Sequence, residues 1–203
     1  MATWLTHLRV AEKVKERIKD IDLDYYMAGS IAPDSGGKEI THFYKNKNEE
    51  QCIDVKCFYS RHLRPENLFL RSDKTRSFYW GYYSHLIVDN LWNERFYKPL
   101  KKKYDGEGDF GQLFKQEMEV IDFNYLEQNP QNNILQRFME SEVKLEFFTD
   151  FPPKLIYENI EKVKSYYSNL TIKADMKLNF LDMASVESFI DDAVKELIIN
   201  FYK

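Results

Sequence analysis

The segment from Lys74 to Tyr97 constrains the fold most. Phe78, Tyr82, His85, Asp89, Trp92 and Phe96 recur every three or four residues, the signature of one helix face. A face this apolar has to be buried against other helices. It nevertheless carries an imidazole and a carboxylate at i and i+4, leaving the helix on the same side. A buried carboxylate is costly unless a charged partner or a metal ion compensates it. Any fold the chain adopts must therefore deliver compensating groups to the middle of this helix.

The rest of the sequence is also dominated by helical periodicity. Trp4, Leu8, Ala11, Val14 and Ile18 form an apolar stripe with Lys13, Lys15, Glu16 and Arg17 opposite, and Thr3 is placed to cap the helix start. Further helices are expected over Leu23–Ile31, Glu50–His62, Phe110–Glu127, Gln131–Phe148, Pro153–Ser168 and Met183–Phe201. Residues 33–49 read as a long loop, YDGEGDFG as a hinge, and TIKADMKLNF (residues 171–180) as a connector. The expected fold is all-α, a multi-helix bundle in one domain over residues 1–203. Residues 4–97 form its site-bearing half and 109–203 its helical C-terminal half.

Composition narrows the function classes. At 203 residues, 43% of them hydrophobic, the chain can bury a core without disulfides or a structural metal. The net charge of −4 argues against a nucleic-acid binder that relies on a global basic field. Cys52 and Cys57 are too few for a disulfide framework and lack the second pair of a zinc ribbon. The first seventeen residues contain no long apolar stretch, and no segment is apolar enough to span a bilayer. A cytoplasmic protein without a transmembrane segment is expected, with homo-oligomerisation left open.

The misplaced polar residues carry the chemistry. His7 lies beside Trp4, Leu8 and Ala11 on an inner helix face, while Asp34 and His42 share the long irregular segment. Loops aimed by rigid helices often hold functional groups. Taken singly, each residue has a plainer reading: a core histidine paired with an aspartate, an Asx turn after Pro33, a surface histidine after Thr41. His62 has no comparable partner and is assigned to the surface. Taken together, three histidines and two aspartates suit Zn²⁺ or another first-row divalent ion, one or two per chain. Asp89 has two oxygens and could bridge two ions, which would clamp a phosphoryl group.

The ordered segments T-H-L-R-V-A-E-K at 6–13, A-G-S-I-A-P-D at 28–34, T-H-F at 41–43 and Y-x-S-H-L-x-x-D-x-x-W at 82–92 resemble the zinc-dependent phospholipase C family. That family shares an all-α fold with the S1/P1-type nucleases. The resemblance implies that His42, His85, Asp89 and Asp34 hold one zinc, and that His7 with the bridging Asp89 holds a second. It also implies that Asp34 acts as base toward a metal-activated water, and that the substrate is a small phosphoester or phospholipid-like molecule.

The sequence departs from the family pattern in three ways. Family members that use the amino group of an N-terminal tryptophan have no counterpart in Trp4, which follows three residues. No histidine follows His85, so the downstream H-x3-E ligands of a trinuclear site are missing, and Asn93 stands where intracellular relatives often have histidine. Two readings stay open: a metal-dependent phosphoesterase, or a non-catalytic helical protein that keeps one metal or none. Glu94 reads as helix surface, and the basic run Arg95–Lys103 reads either as a solvated helix end or as a face toward an anionic substrate.

Overall fold

The computed structural model describes residues 1–47, 50–150, 152–170 and 178–202. The fold is all-α. Helix α1 (Trp4–Arg17) is capped by Thr3, whose hydroxyl accepts the Thr6 N–H. Helix α2 (Leu23–Ile31) is capped by Asp22 and runs on into a 3₁₀ turn, Ala32–Ser35. The short α3 (Lys38–Thr41) leads to a hairpin of β1 (Tyr44–Lys47) and β2 (Glu50–Ile53), with Tyr44 opposite Ile53. Then come α4 (Val55–His62), α5 (Pro65–Leu68) and the long α6 (Asp73–Trp92).

A π turn over Asn93–Tyr97 joins α6 to α7 (Lys98–Lys103). Pro99 lacks the N–H that would continue the α-helical ladder, so the register shifts upstream of it. The chain continues through α8 (Phe110–Gln128), α9 (Ile134–Glu140), α10 (Pro153–Ser168) and α11 (Met183–Phe201). Helix α1 packs on α2, α9 and α11, and α10 packs on α2 and the 3₁₀ turn. Among the described residues, no helix is long and apolar enough to cross a membrane.

The contact that organises the core is between α2 and α6. Ser77 accepts the Asp22 N–H, and Ser30 O meets His85, so the two helices run parallel. They cross at Gly29 and Gly81. A Cβ on Gly29 would stand 2.0 Å from Phe78 O, and one on Gly81 would stand 2.0 Å from Tyr26 O. The backbones are in direct contact, and only glycine permits it. Around this crossing Phe58, Phe78, Tyr82 and Phe148 pack in stacked and edge-on pairs.

Three expectations are corrected. The helix expected from Glu50 begins only at Val55, because Glu50–Ile53 pairs with β1 and the Asp54 N–H donates to Phe43 O at the base of the hairpin. Asp54 then caps α4 through the Cys57 N–H. The loop expected over 33–49 holds the 3₁₀ turn, α3 and β1. The helix expected over Gln131–Phe148 is confined to Ile134–Glu140. Beyond it, tyrosine hydroxyls replace helical acceptors: the Lys144 N–H donates to Tyr25 Oη at 3.1 Å and the Leu145 N–H to Tyr157 Oη at 2.8 Å. This frees Leu145 and Phe148 to sit fully in the core. Most of the connector expected over 171–180 lies outside the described residues. Helices α2 and α11 have the bounds expected from their periodicity.

The Gly29–Gly81 crossing gives the first prediction. Gly81→Ala forces a methyl into the Tyr26 carbonyl, a backbone atom that no rotamer change can move aside. The expected loss is about 3 kcal/mol, read as a lower denaturation midpoint with an unchanged m-value. A midpoint equal to wild type would show that the helices separate without cost.

Candidate metal centre

Five polar side chains meet where α1, the 3₁₀ turn, the end of α3 and the middle of α6 converge. They are His7, Asp34, His42, His85 and Asp89. His7, His42, His85 and Asp89 are at most 1% exposed, and Asp34 alone reaches solvent, its side chain 11% exposed.

The two central rings have defined tautomers. The Ser30 carbonyl lies in the last turn of α2, where helical acceptors lack partners. His85 Nδ1–H donates to it at 2.8 Å. The Thr41 hydroxyl donates its single hydrogen to Gly37 O, so at its 3.1 Å contact with His42 Nδ1 it accepts from the ring. Both rings thus carry the proton on Nδ1, and both Nε2 lone pairs point inward. Those two nitrogens are 3.2 Å apart. Two lone pairs facing each other repel unless a cation stands between them.

The carboxylates complete the set. Asp89 Oδ2 lies 3.4 Å from His85 Nε2 and 3.6 Å from His42 Nε2. Asp34 Oδ1 lies 3.7 Å from His42 Nε2 and 3.9 Å from His85 Nε2. These separations exceed the usual 2.7–3.2 Å of an N–H···O bond. Two ligands held about 2.0–2.1 Å from one tetrahedral ion stand about 3.3 Å apart.

His7 forms a second corner. Its ring stacks on His85 at 4.0 Å between centroids, and its Nε2 is 3.4 Å from Asp89 Oδ1. That contact is not a hydrogen bond. Both ring nitrogens of His7 and Oδ2 of Asp89 are buried without a hydrogen-bond partner. An unsatisfied buried polar group costs about 1–3 kcal/mol. The donor types, their spacing and these orphaned atoms fit a divalent ion bound by imidazole and carboxylate.

The N-terminal residues aim the carboxylates. The Ala2 N–H donates to Asp89 Oδ1 at 2.9 Å, and Trp4 Nε1–H donates to Asp34 Oδ2 at 2.8 Å. Each bond holds one oxygen and turns the other toward His42 and His85. Sequence spacing marks Trp4 only as core packing and carries no sign of this role. Phe43, next to His42, has φ +52°, a left-handed conformation that costs a bulky residue about 1–3 kcal/mol. The strain accompanies the turn between the inward His42 ring and the start of β1.

Burial sets the charge states. It pushes His7 down to about 4, and the neighbouring His85 adds to the effect. Burial likewise lowers His42. It would lower His85 too, but the carboxylates of Asp89 and Asp34 outweigh it and raise the pKa. Asp89 resists the upward push of burial and is held well below the carboxylate range by His85, His42 and His7. At neutral pH the cluster therefore offers the Asp89 carboxylate and, in His7 and His42, neutral imidazole donors, while the two carboxylates make His85 the most basic of the three rings.

The fourth histidine corrects an expectation. His62 is 4% exposed rather than at the surface. Its ring stacks on Tyr79, and its Nε2 lies 2.6 Å from Asp150 Oδ2. Asp150 is 88 positions away in sequence, so no local pattern announces it. Glu94, by contrast, is exposed and pairs with Lys98, and Arg95 pairs with Asp192, as a helix surface would.

Behind the cluster, Asp122 anchors the N-terminal residues. The Thr3 hydroxyl donates to Asp122 Oδ1 at 2.8 Å and Tyr167 Oη to Oδ2 at 2.9 Å, while the Leu5 N–H donates to Tyr167 Oη. Burial raises the Asp122 pKa to about 7 against the pull of Thr3, Tyr167 and Arg9, and Glu119 adds to the rise. Between the unfolded value near 3.8 and about 7 the folded state holds the extra proton. This contribution to stability is complete below the unfolded value and is lost as pH rises through about 7. In Asp122→Asn the fall in melting temperature between pH 5 and 8 should be shallower than in wild type. Parallel pH profiles would refute the assignment.

Two comparisons, with curated proteins and with solved structures, found no match. A comparison with protein families did: the zinc dependent phospholipase C family matches residues 6–190. That span includes all five clustered side chains and nearly every helix of the bundle, and the chain belongs to this family.

Proposed function

We propose that the protein is a zinc-dependent hydrolase acting on a phosphoester. The observation that carries this reading is the inward convergence of the His42 and His85 lone pairs, with an oxygen of Asp89 and one of Asp34 each within 3.9 Å of both nitrogens. His42, His85, Asp89 and Asp34 would hold one ion, and His7 with the other oxygen of Asp89 would hold a second. When bound, zinc supplies Lewis acidity toward a phosphoryl oxygen and toward water.

The chain's own residues do the rest. Ser30 O and Thr41 keep the two imidazoles in their δ-protonated form. Trp4 holds Asp34 in place at the one point of the cluster that reaches solvent. Asp34 would accept the proton of the attacking water there. The near-complete burial of His7, His42, His85 and Asp89 keeps bulk water from the other donors. A phosphodiester or a phospholipid-like headgroup is the expected substrate class.

A second reading is favoured by the near-complete burial of the cluster. The ion would then be a staple joining α1, the 3₁₀ turn and α6, without turnover. Chelator would lower the melting temperature in both readings, but only the hydrolase releases product from a chromogenic phosphodiester.

Elemental analysis of protein purified without a chelator or a histidine tag tests the centre. Wild type should carry one or two zinc-like ions, and His85→Ala and Asp89→Ala should lose them along with any phosphodiesterase activity. A metal-free wild type that takes up none on reconstitution would end this reading. Trp4→Phe keeps the ring but removes the hydrogen bond to Asp34, and should weaken metal affinity about tenfold. Unchanged affinity, measured by competition with a chromogenic chelator, would show that Asp34 needs no such support.

A further inference from the structure

The α5–α6 corner projects two consecutive apolar side chains into solvent, Phe69 at 83% exposure and Leu70 at 91%. Elsewhere among the described residues the large exposed apolar side chains, such as Ile40 and Ile199, are not adjacent in sequence. Water-exposed phenylalanine and leucine at the tip of a turn gain nothing from folding.

The corner is also basic in an acidic protein. Residues 61–76 contain Arg61, Arg64, Arg71, Lys74 and Arg76 against Glu66 and Asp73, while the whole chain carries −4. Asp73 is engaged by Arg76, and Arg64 stands 3.9 Å from Glu66. Arg61 and Lys74 are exposed. Arg71 covers the Tyr79 ring and reaches the His62 carbonyl. Arg61 lies over the Phe43 ring and Lys74 over the Tyr25 ring, and the segment that carries the apolar tip is basic by five cations against two carboxylates.

The turn holds its shape through local hydrogen bonds. The Phe69 N–H donates to Pro65 O at 3.0 Å, the Arg71 N–H to Leu68 O at 3.0 Å, and the Asn67 amide to Arg61 O at 2.9 Å. These bonds fix the tip from within residues 61–71.

We propose that Phe69 and Leu70 insert into the surface of an anionic lipid bilayer, with the arginines of the same segment and Lys74 against the lipid headgroups. Basic residues beside an apolar tip match the two attractions that hold a peripheral protein to an anionic leaflet. The acidic remainder of the chain is repelled, which orients the molecule with this corner toward the membrane. The docking does not depend on the phosphoester chemistry of the buried cluster.

Co-sedimentation of the full chain with phosphatidylcholine vesicles, with and without phosphatidylserine, tests this. Wild type should bind the phosphatidylserine vesicles and release at high salt. The double variant Phe69→Ser/Leu70→Ser, checked for native helicity by circular dichroism, should bind at least about tenfold more weakly. Arg61→Ala/Lys74→Ala should lose the preference for phosphatidylserine. The proposal is overturned if wild type ignores both vesicle types, if the serine variant binds equally well, or if the tip instead closes a dimer between two copies of the chain.

Discussion

The backbone contact between α2 and α6 is the constraint on which the rest depends. Helices normally approach no closer than their side chains allow. Gly29 and Gly81 remove that limit at the crossing, and the two ladders meet. Because the helices run parallel, the Ser30 carbonyl at the end of α2 falls beside His85, about two turns beyond Phe78 on α6. The same crossing delivers the 3₁₀ turn with Asp34 to the opposite side of the His85 ring. A helix pair spaced by ordinary side chains would leave that carbonyl and that carboxylate out of reach.

Around this contact the protein buries more ionisable groups than it satisfies. His85 and His42 each have one ring nitrogen bonded and one aimed at the centre, while His7 has neither bonded. The N-terminal residues restrain the carboxylates, and Asp122 with Tyr167 restrains those residues in turn. Charge, tautomer and backbone are thus arranged toward one point. In a core held together by hydrophobic burial alone, such an arrangement would be a defect. Toward a divalent cation it is preorganisation.

Much of this is legible in the amino-acid sequence. The helical stripes of α1, α2, α8, α10 and α11 follow from apolar spacing, and the cap of α1 follows from Thr3. His85 and Asp89 stand out because they interrupt an apolar face, and His7, Asp34 and His42 because four ordered segments resemble one family. Less legible is everything decided between distant segments. The hairpin is four residues a side with weak intrinsic preference, and a bond from Asp54 to Phe43 closes it. Residues 141–148 have helical composition but give up helical bonds for the hydroxyls of Tyr25 and Tyr157. His62 looks solitary in the sequence because Asp150 is remote from it.

By itself, then, the sequence determined the all-α class, the stripe that α1 buries, and which residue types were available for a metal. Those properties are local: spacing along a helix decides them, and spacing is written in the chain. Tertiary structure alone decided which nitrogen of each histidine faces inward, which oxygen of each carboxylate stays free, and that Trp4 serves Asp34. Apart from the Thr41 contact that orients its neighbour His42, those properties depend on donors and acceptors brought from other helices, and a hydrogen bond has no counterpart in sequence spacing when its partners are 30 to 119 residues apart.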